Sequence, residues 1–275
     1  MSVMTLLRHY RWRFLFTLLL VLLDAALLVL FPLFIGQAIS GAINESYQEA
    51  IHLGLLGMAT LLIGALRRYY DSRFYARVYE HLGARIGENE EVPVSIRSAH
   101  LGFLTEVVEF FENQLPELVN STIGLVGTLL IIAALNLTLF AGCLVVLFII
   151  LIVYGLSSKP TQGLNLGFNE ELEKQVSVIE KQEPLLLRHH LAKLMRWNIR
   201  LSDRETINFS IVWFFMVLFL TGSIVLAVQQ GMEDQGAIFS LVLYLFQFME
   251  VAIVMPVFYQ QWLRLKSIRE KLQGF

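Results

Sequence analysis

The sequence is poor in cysteine and in charge, and both shortages exclude whole classes of protein. Its one cysteine, Cys143, cannot form an internal disulfide and offers no thiol pair for a metal. Only 16% of the residues are charged, and 21 Lys and Arg nearly balance 23 Asp and Glu, which argues against a nucleic-acid partner. Soluble domains carry about 25% charged residues. The composition is therefore not that of a soluble globule.

Motifs for catalysis and for metal binding are also missing. The six histidines form no H-E-x-x-H or related metal spacing, and no G-x-S-x-G occurs. The chain contains no G-x-x-x-x-G-K-[ST], the loop that holds nucleotide phosphates, and no Gly-Lys pair at all. We therefore expect no catalytic residues, no metal site, no cofactor and no nucleotide-binding domain, so that the chain is not an enzyme.

Apolar residues are abundant instead. They make up 56% of the chain, with 20 phenylalanines and a mean hydropathy of +0.62. A helix needs about 20 apolar residues to cross a bilayer, and the helical pattern of the second apolar stretch runs on to about residue 82. The sequence predicts an all-α polytopic membrane protein with a single six-helix transmembrane domain over residues 1–275. The predicted spans are residues 14–39, 51–66, 118–135, 137–156, 209–228 and 236–258.

The basic residues predict the orientation in the membrane. The loops at residues 40–50 and 229–235 and the turn at Asn136 contain no Lys or Arg, so all 21 basic residues fall on the other side. Positive charge is retained on the cytoplasmic side. We therefore predict that both termini are cytoplasmic and that two long helical segments, 67–116 and 157–208, extend into the cytoplasm. The expected location is the bacterial inner membrane.

This arrangement resembles the transmembrane domain of ATP-binding-cassette exporters. The resemblance rests on six spans, internal termini, short external turns and two long helical excursions. It implies a domain-swapped homodimer and a coupling helix at the tip of each excursion that contacts a nucleotide-binding domain. The coupling positions would be about Gly87–Val94 and about Glu183–His190, and the second contains the candidates Glu183, Pro184, Leu185 and Arg188.

Two acidic residues interrupt the apolar spans. Glu250 and Asp24 both lie deep in predicted spans, where an ionised acid costs roughly 2.5 to 3.5 kcal/mol, and no Lys or Arg is expected at the same depth. Gln247 lies three residues before Glu250, and Thr17 seven before Asp24, so each acid shares a helix face with a polar group. We predict that these four residues line a pathway for substrate or protons. The alternative is a set of neutral carboxyl groups that bond to neighbouring helices.

Three functions are consistent with the sequence. The first is a transporter that moves an amphipathic or cationic solute, driven by protons through Glu250 and Asp24, as in the proton-driven peptide-uptake proteins of similar fold that lack the ATPase. The second is a transmembrane subunit driven by a separate ATPase subunit. The third is a membrane scaffold or regulatory protein that does not transport. In each case the expected partners are the lipid bilayer and a second copy of the chain.

Overall fold

The structure, a computed structural model, describes residues 11–88 and 93–273, and it describes the side-chain surroundings of these residues except Ala99 and 255–273. This range does not include residues 1–10 and 274–275, which are predicted to be cytoplasmic. It also does not include residues 89–92 of the first predicted coupling segment. The described chain is helical apart from short turns. The helices are α1 (Arg11–Ile43), α2 (Gln48–Gly87), α3 (Val94–Glu109), α4 (Leu115–Leu135), α5 (Leu137–Glu173), α6 (Gln175–Glu180), α7 (Pro184–Gln229) and α8 (Gln235–Gln273).

Six stretches of the described chain are long and apolar enough to cross a membrane. The predicted all-α fold with six membrane helices is therefore confirmed. A π-helical turn at Phe110–Gln114 joins α3 to α4, so that Val94–Leu135 forms one continuous stretch. The 40 residues of α2 and the 46 of α7 extend about 60 Å and about 69 Å. Both lengths exceed the bilayer core of about 30 Å, so each helix is longer than one crossing requires.

The chain forms two compact units. The first comprises the described parts of 1–137 and 224–273, and α1 packs there against α2, α4 and α8. The buried face of α1 repeats every three or four residues, as expected for a helix with one packed side. It includes Thr17, Val21, Ala25, Val29 and Pro32. The facing core of α8 includes Leu241, Tyr244, Leu245 and Phe248.

Two hydroxyl groups of α8 bond to the backbone of α1 where a proline interrupts it. Pro32 has no amide hydrogen, so it cannot complete the helical hydrogen-bond ladder. Ser240 Oγ donates to the carbonyl of Pro32 at 2.8 Å, and Tyr244 donates to the carbonyl of Val29 at 3.0 Å. These bonds go to the carbonyls of Pro32 and Val29, not to that of Leu28, which is the group that Pro32 leaves without its helical donor. They also fix the register between α1 and α8.

An aspartate begins α8 at the end that the basic residues predict to be external. Asp234 accepts hydrogen bonds from Ser40 Oγ at 2.6 Å and from the amide of Ala237 at 3.1 Å. The Ser40 hydroxyl, followed by the backbone amides, lowers the pKa of this carboxyl. Asp234 therefore acts as the N-cap of α8 and also ties that helix to α1.

The second unit, Thr138–Ser223, is a hairpin of α5 and α7 with the short α6 at its tip. Asn208 Nδ2 donates to Ser157 Oγ at 2.8 Å, and both residues are buried. The indole of Trp197 lies directly over Gly167, where any larger side chain would collide with the ring. These contacts hold the two long helices together. Whether the two units form the single predicted domain stays a prediction.

Candidate functional site

The structure places Asp24 inside the first unit and gives it a cationic partner. Asp24 is only 7% exposed, and its Oδ2 lies 3.1 Å from Nη1 of Arg67 on α2. The Arg67 nitrogen lies within ion-pair distance but does not meet hydrogen-bond geometry. The attraction between these two groups is therefore chiefly Coulombic. It neutralises Asp24 in surroundings where a lone carboxylate is costly.

The prediction that Asp24 has no Lys or Arg at its depth is wrong. Arg67 follows the second apolar run directly in the sequence, yet its guanidinium lies against Asp24 of α1. A count of charges within each span misses a residue that lies just beyond one. That Asp24 belongs to a substrate or proton pathway stays a prediction.

The sequence does contain a signal for this pair. Helices α1 and α2 are joined by the short turn at residues 44–47 and run antiparallel. Asp24 lies 19 residues before Ile43, the end of α1, and Arg67 lies 19 residues after Gln48, the start of α2. Residues equally far from a tight turn lie at the same level of a helical hairpin, because both helices rise about 1.5 Å per residue.

One face of α2 carries two further polar residues, which no pattern in the sequence marks as functional. Asp71 and Tyr75 follow Arg67 at four-residue intervals and are buried. Thr17 of α1, one of the predicted pathway residues, is also buried and lies close to Asp71. Thr17 and Tyr75 line one small cavity next to the π-helical turn, whose Phe111 forms part of the wall. The structure thus gathers polar groups of α1 and α2 in one place.

Glu250 and Gln247 lie on α8, and they differ in exposure. Glu250 is exposed in this single chain, whereas Gln247 is half-buried and its Oε1 is enclosed without a hydrogen bond. The register set by Ser240 and Tyr244 places Glu250 within about one helical turn of the depth of Asp24. Among the described residues, no ion pair or hydrogen bond links the two acids. Asp24, Gln247 and Glu250 therefore lie at similar depths, whereas Thr17 lies two helical turns from Asp24, and the four residues do not form one cluster.

The tip of the second unit is a separate site. The predicted coupling residues Glu183, Pro184, Leu185 and Arg188 are all exposed; Glu183 directly precedes α7, and the other three lie in its first turns. Gln182 has a φ of 51°, which turns the chain sharply before Pro184 begins the helix. The separate short helix at this tip is α6, at Gln175–Glu180.

A buried charge cluster joins α5 to α7 close to this tip. Glu171 of α5 lies 2.8 Å from Nζ of Lys193, 3.0 Å from Nδ1 of His190 and 3.3 Å from Nζ of Lys174. The Lys193 ammonium, with smaller contributions from His190 and Lys174, lowers the pKa of Glu171 to about 2. Both Glu171 and His190 are buried. The carboxylate therefore remains ionised, and its ion pairs hold α5 against α7.

Six helices that are long and apolar enough to cross a membrane define the chain as an integral membrane protein. Residues 3–236 match the family described as the ABC transporter transmembrane region. The match spans most of the chain, so the chain belongs to this family, and the resemblance noted in the sequence is confirmed. A search of curated proteins gave no match.

Proposed function

We propose that this chain is the transmembrane subunit of an ATP-driven transporter, and that a separate nucleotide-binding subunit docks on the tip of the second unit. The supporting observation is an apolar patch at that tip. Val176 and Ile179 of α6 and Leu185 of α7 are 67%, 52% and 83% exposed. We call these three residues the tip patch.

Lipid does not account for the exposure of the tip patch. Exposed apolar residues within a membrane span are covered by acyl chains. Pro184, however, lies 25 residues before Phe209, where the fifth predicted span begins, which corresponds to about 37 Å of helix. Exposed apolar patches in water mark contact sites for another protein. A protein partner on the tip is the occupant that fits this location.

The helices α5 and α7 can transmit a movement of the tip toward the membrane. The Glu171 cluster and the packing of Trp197 on Gly167 fasten α5 to α7. The helix α7 then continues without a break from the tip into the span. A displacement of the tip by the nucleotide-binding subunit would therefore move the membrane part of α7 as a rigid lever.

The proposal includes a homodimer of the exporter type. The second unit is compact by itself, which suits a hairpin exchanged between two copies. Beyond the predicted span, α7 exposes Leu191, Met195 and Ile199 at four-residue intervals. A second copy would cover this stripe. Native mass measurement of the purified chain counts the copies, and a monomer alone would contradict this part of the proposal.

The transported solute is proposed to be amphipathic or cationic. The predicted external turns carry Glu45, Glu49, Glu233 and Asp234 but no Lys or Arg. A negative surface attracts cations toward the entrance of a pathway. The orientation inferred from the basic residues, with both termini in the cytoplasm of a bacterium and the chain in its inner membrane, belongs to the same proposal.

Charge introduced at the tip tests the ATP-driven function. In proteoliposomes that contain the chain and its nucleotide-binding subunit, Leu185→Asp should remove most ATP-dependent transport and most transport-linked ATP hydrolysis, because an aspartate does not fit an apolar contact. The matched control is Leu166→Asp, which changes another exposed leucine that lies on α5, away from the tip patch. Full activity of Leu185→Asp would contradict docking at this tip.

A second candidate function is proton-driven transport. Glu250 supports it, because this carboxyl is exposed within a predicted apolar span and, among the described residues, forms no ion pair. Asp24 supports it less, since Arg67 already neutralises that acid. The non-transporting scaffold is supported by no particular contact.

A further inference from the structure

The polar cluster between α1 and α2 has more negative charge than its one cation balances. It contains the carboxyl groups of Asp24 and Asp71, which are 7% and 5% exposed, and the guanidinium of Arg67. Arg67 forms its ion pair with Asp24, and no ion pair of Asp71 occurs within the part of the chain that the structure describes. If both acids were ionised, the buried cluster would carry a net negative charge.

The neighbours of Asp71 do not supply the missing positive charge. The charged groups that act on it are Arg67, four residues earlier on α2, and Glu112 in the π-helical turn, whose negative charge adds to the imbalance. Tyr75 of α2 and Thr17 of α1 are uncharged. A buried carboxylate without a cation is unfavourable by several kcal/mol, and proteins commonly relieve that cost by protonation.

The Asp71 carboxyl group and two nearby hydroxyl groups each have an oxygen atom without a hydrogen-bond partner. Asp71 Oδ1, Thr17 Oγ1 and Tyr75 Oη are all enclosed and meet no hydrogen-bond geometry, although Thr17 lies close to Asp71. Thr17 and Tyr75 also line the small cavity beside the π-helical turn. Hydroxyl oxygens accept as well as donate. A carboxylic acid proton at this place would therefore have acceptors within the same cluster.

We propose that Asp71, which lies near Thr17, Tyr75 and the Asp24–Arg67 pair, is a proton-binding site. With the proton bound, Arg67 neutralises Asp24 alone. When the proton leaves, Arg67 lies between two carboxylates, so that proton binding changes how α1 and α2 are held together. This site does not depend on which energy source drives transport, because it follows from the buried charges of the first unit.

Infrared difference spectra of the full chain in nanodiscs test the site directly. Between mildly acidic and mildly alkaline buffer, the wild type should show the carbonyl stretch of a protonated carboxyl that shifts when aspartate carrying heavy carbon in its side-chain carboxyl is incorporated. Asp71→Asn should remove this band. Asp24→Asn should move its titration toward acidic pH, because Arg67 is then free to pair with Asp71. The exposed Asp203→Asn is the matched control and should leave the band unchanged.

Each alternative result overturns the proposal. Absence of any aspartate-dependent band in the wild type would show that Asp71 does not change its protonation between the two pH values, and this readout needs no variant to fold. A band that persists in a helical, monodisperse Asp71→Asn protein would assign the proton to another aspartate. A signal that depends on sodium or potassium concentration rather than pH would assign the site to a metal cation. The expected outcome is loss of one carboxyl signal in Asp71→Asn alone.

Discussion

The pairing of Asp24 with Arg67 follows from their equal distance from the turn between α1 and α2. Arg67 reaches Asp24 across the α1–α2 interface, although it follows the apolar run instead of lying within it. Removal of one partner from a buried ion pair typically costs about 3–5 kcal/mol, because the other charge stays buried. The pair therefore couples the positions of α1 and α2 strongly.

Arg67→Met tests the energetic role of this pair. The variant should unfold more easily, by about 3 kcal/mol, since Asp24 loses its neutralising charge while the methylene packing is kept. The double variant Asp24→Asn/Arg67→Met should recover much of this loss, because the two changes are coupled. Thermal unfolding in detergent provides the measurement, and the exposed Arg68→Met is the control. A stability loss in the double variant equal to the sum of the losses in Asp24→Asn and Arg67→Met would contradict a direct interaction.

Among the helices, α1 and α8 approach closely at their predicted external ends. At Gly36 and Gly236 the two backbones come so near that a side chain on Gly236 would collide with the carbonyl of Gly36. Small residues at helix contacts in membranes allow this kind of approach. The hydrogen bonds from Ser240 and Tyr244 to the α1 backbone depend on the same spacing.

Gly236→Ala tests this contact. The added methyl group meets backbone atoms that cannot rotate away, so the helices must separate, and overpacking of this kind costs about 1–3 kcal/mol. Gly57→Ala is the matched control, since nothing lies within 4 Å of a Cβ built at Gly57. The unfolding midpoint should fall for Gly236→Ala and stay near that of the wild type for Gly57→Ala. A similar midpoint for both variants would refute the close approach.

At the scale of the whole molecule, the two candidate energy sources depend on different regions. The proposed ATP-driven function involves the tip patch, whereas the proton-driven alternative involves Glu250 in α8. The two regions lie in different compact units. A substitution in one of these regions therefore tests one function without a large effect on the fold of the other region.

Glu250→Gln distinguishes the two energy sources. Glutamine keeps the shape of the side chain and loses only its charge and titration, so we expect ATP-dependent transport in proteoliposomes to continue, with weaker binding of a cationic solute. Transport driven by an imposed pH gradient should be absent in the wild type and in the variant. Gradient-driven transport that the wild type shows and Glu250→Gln loses would favour the proton-driven function instead. The exposed Glu80→Gln serves as the control.

The helical fold, the number of spans and the family were predictable because they depend on properties that repeat along the chain. An apolar run of sufficient length has few alternatives in a bilayer, where every backbone group must be bonded within its own helix. The positions of two helix starts can also be predicted from proline, since Pro93 precedes α3 and Pro184 begins α7. The helical bounds of these segments follow largely from local chemistry.

The partners of polar residues were decided by tertiary structure. The pairs Asp24–Arg67 and Glu171–His190 depend on the register between antiparallel helices, and a shift by one residue rotates a side chain by about 100° away from its partner. The burial of Asp71 depends on α1, α2 and the π-helical turn together. Sequence alone determined that the chain enters the membrane, because apolar length acts through each segment by itself. Only packing decided which charges are neutralised there, because that depends on distances of a few ångströms between segments far apart in the chain.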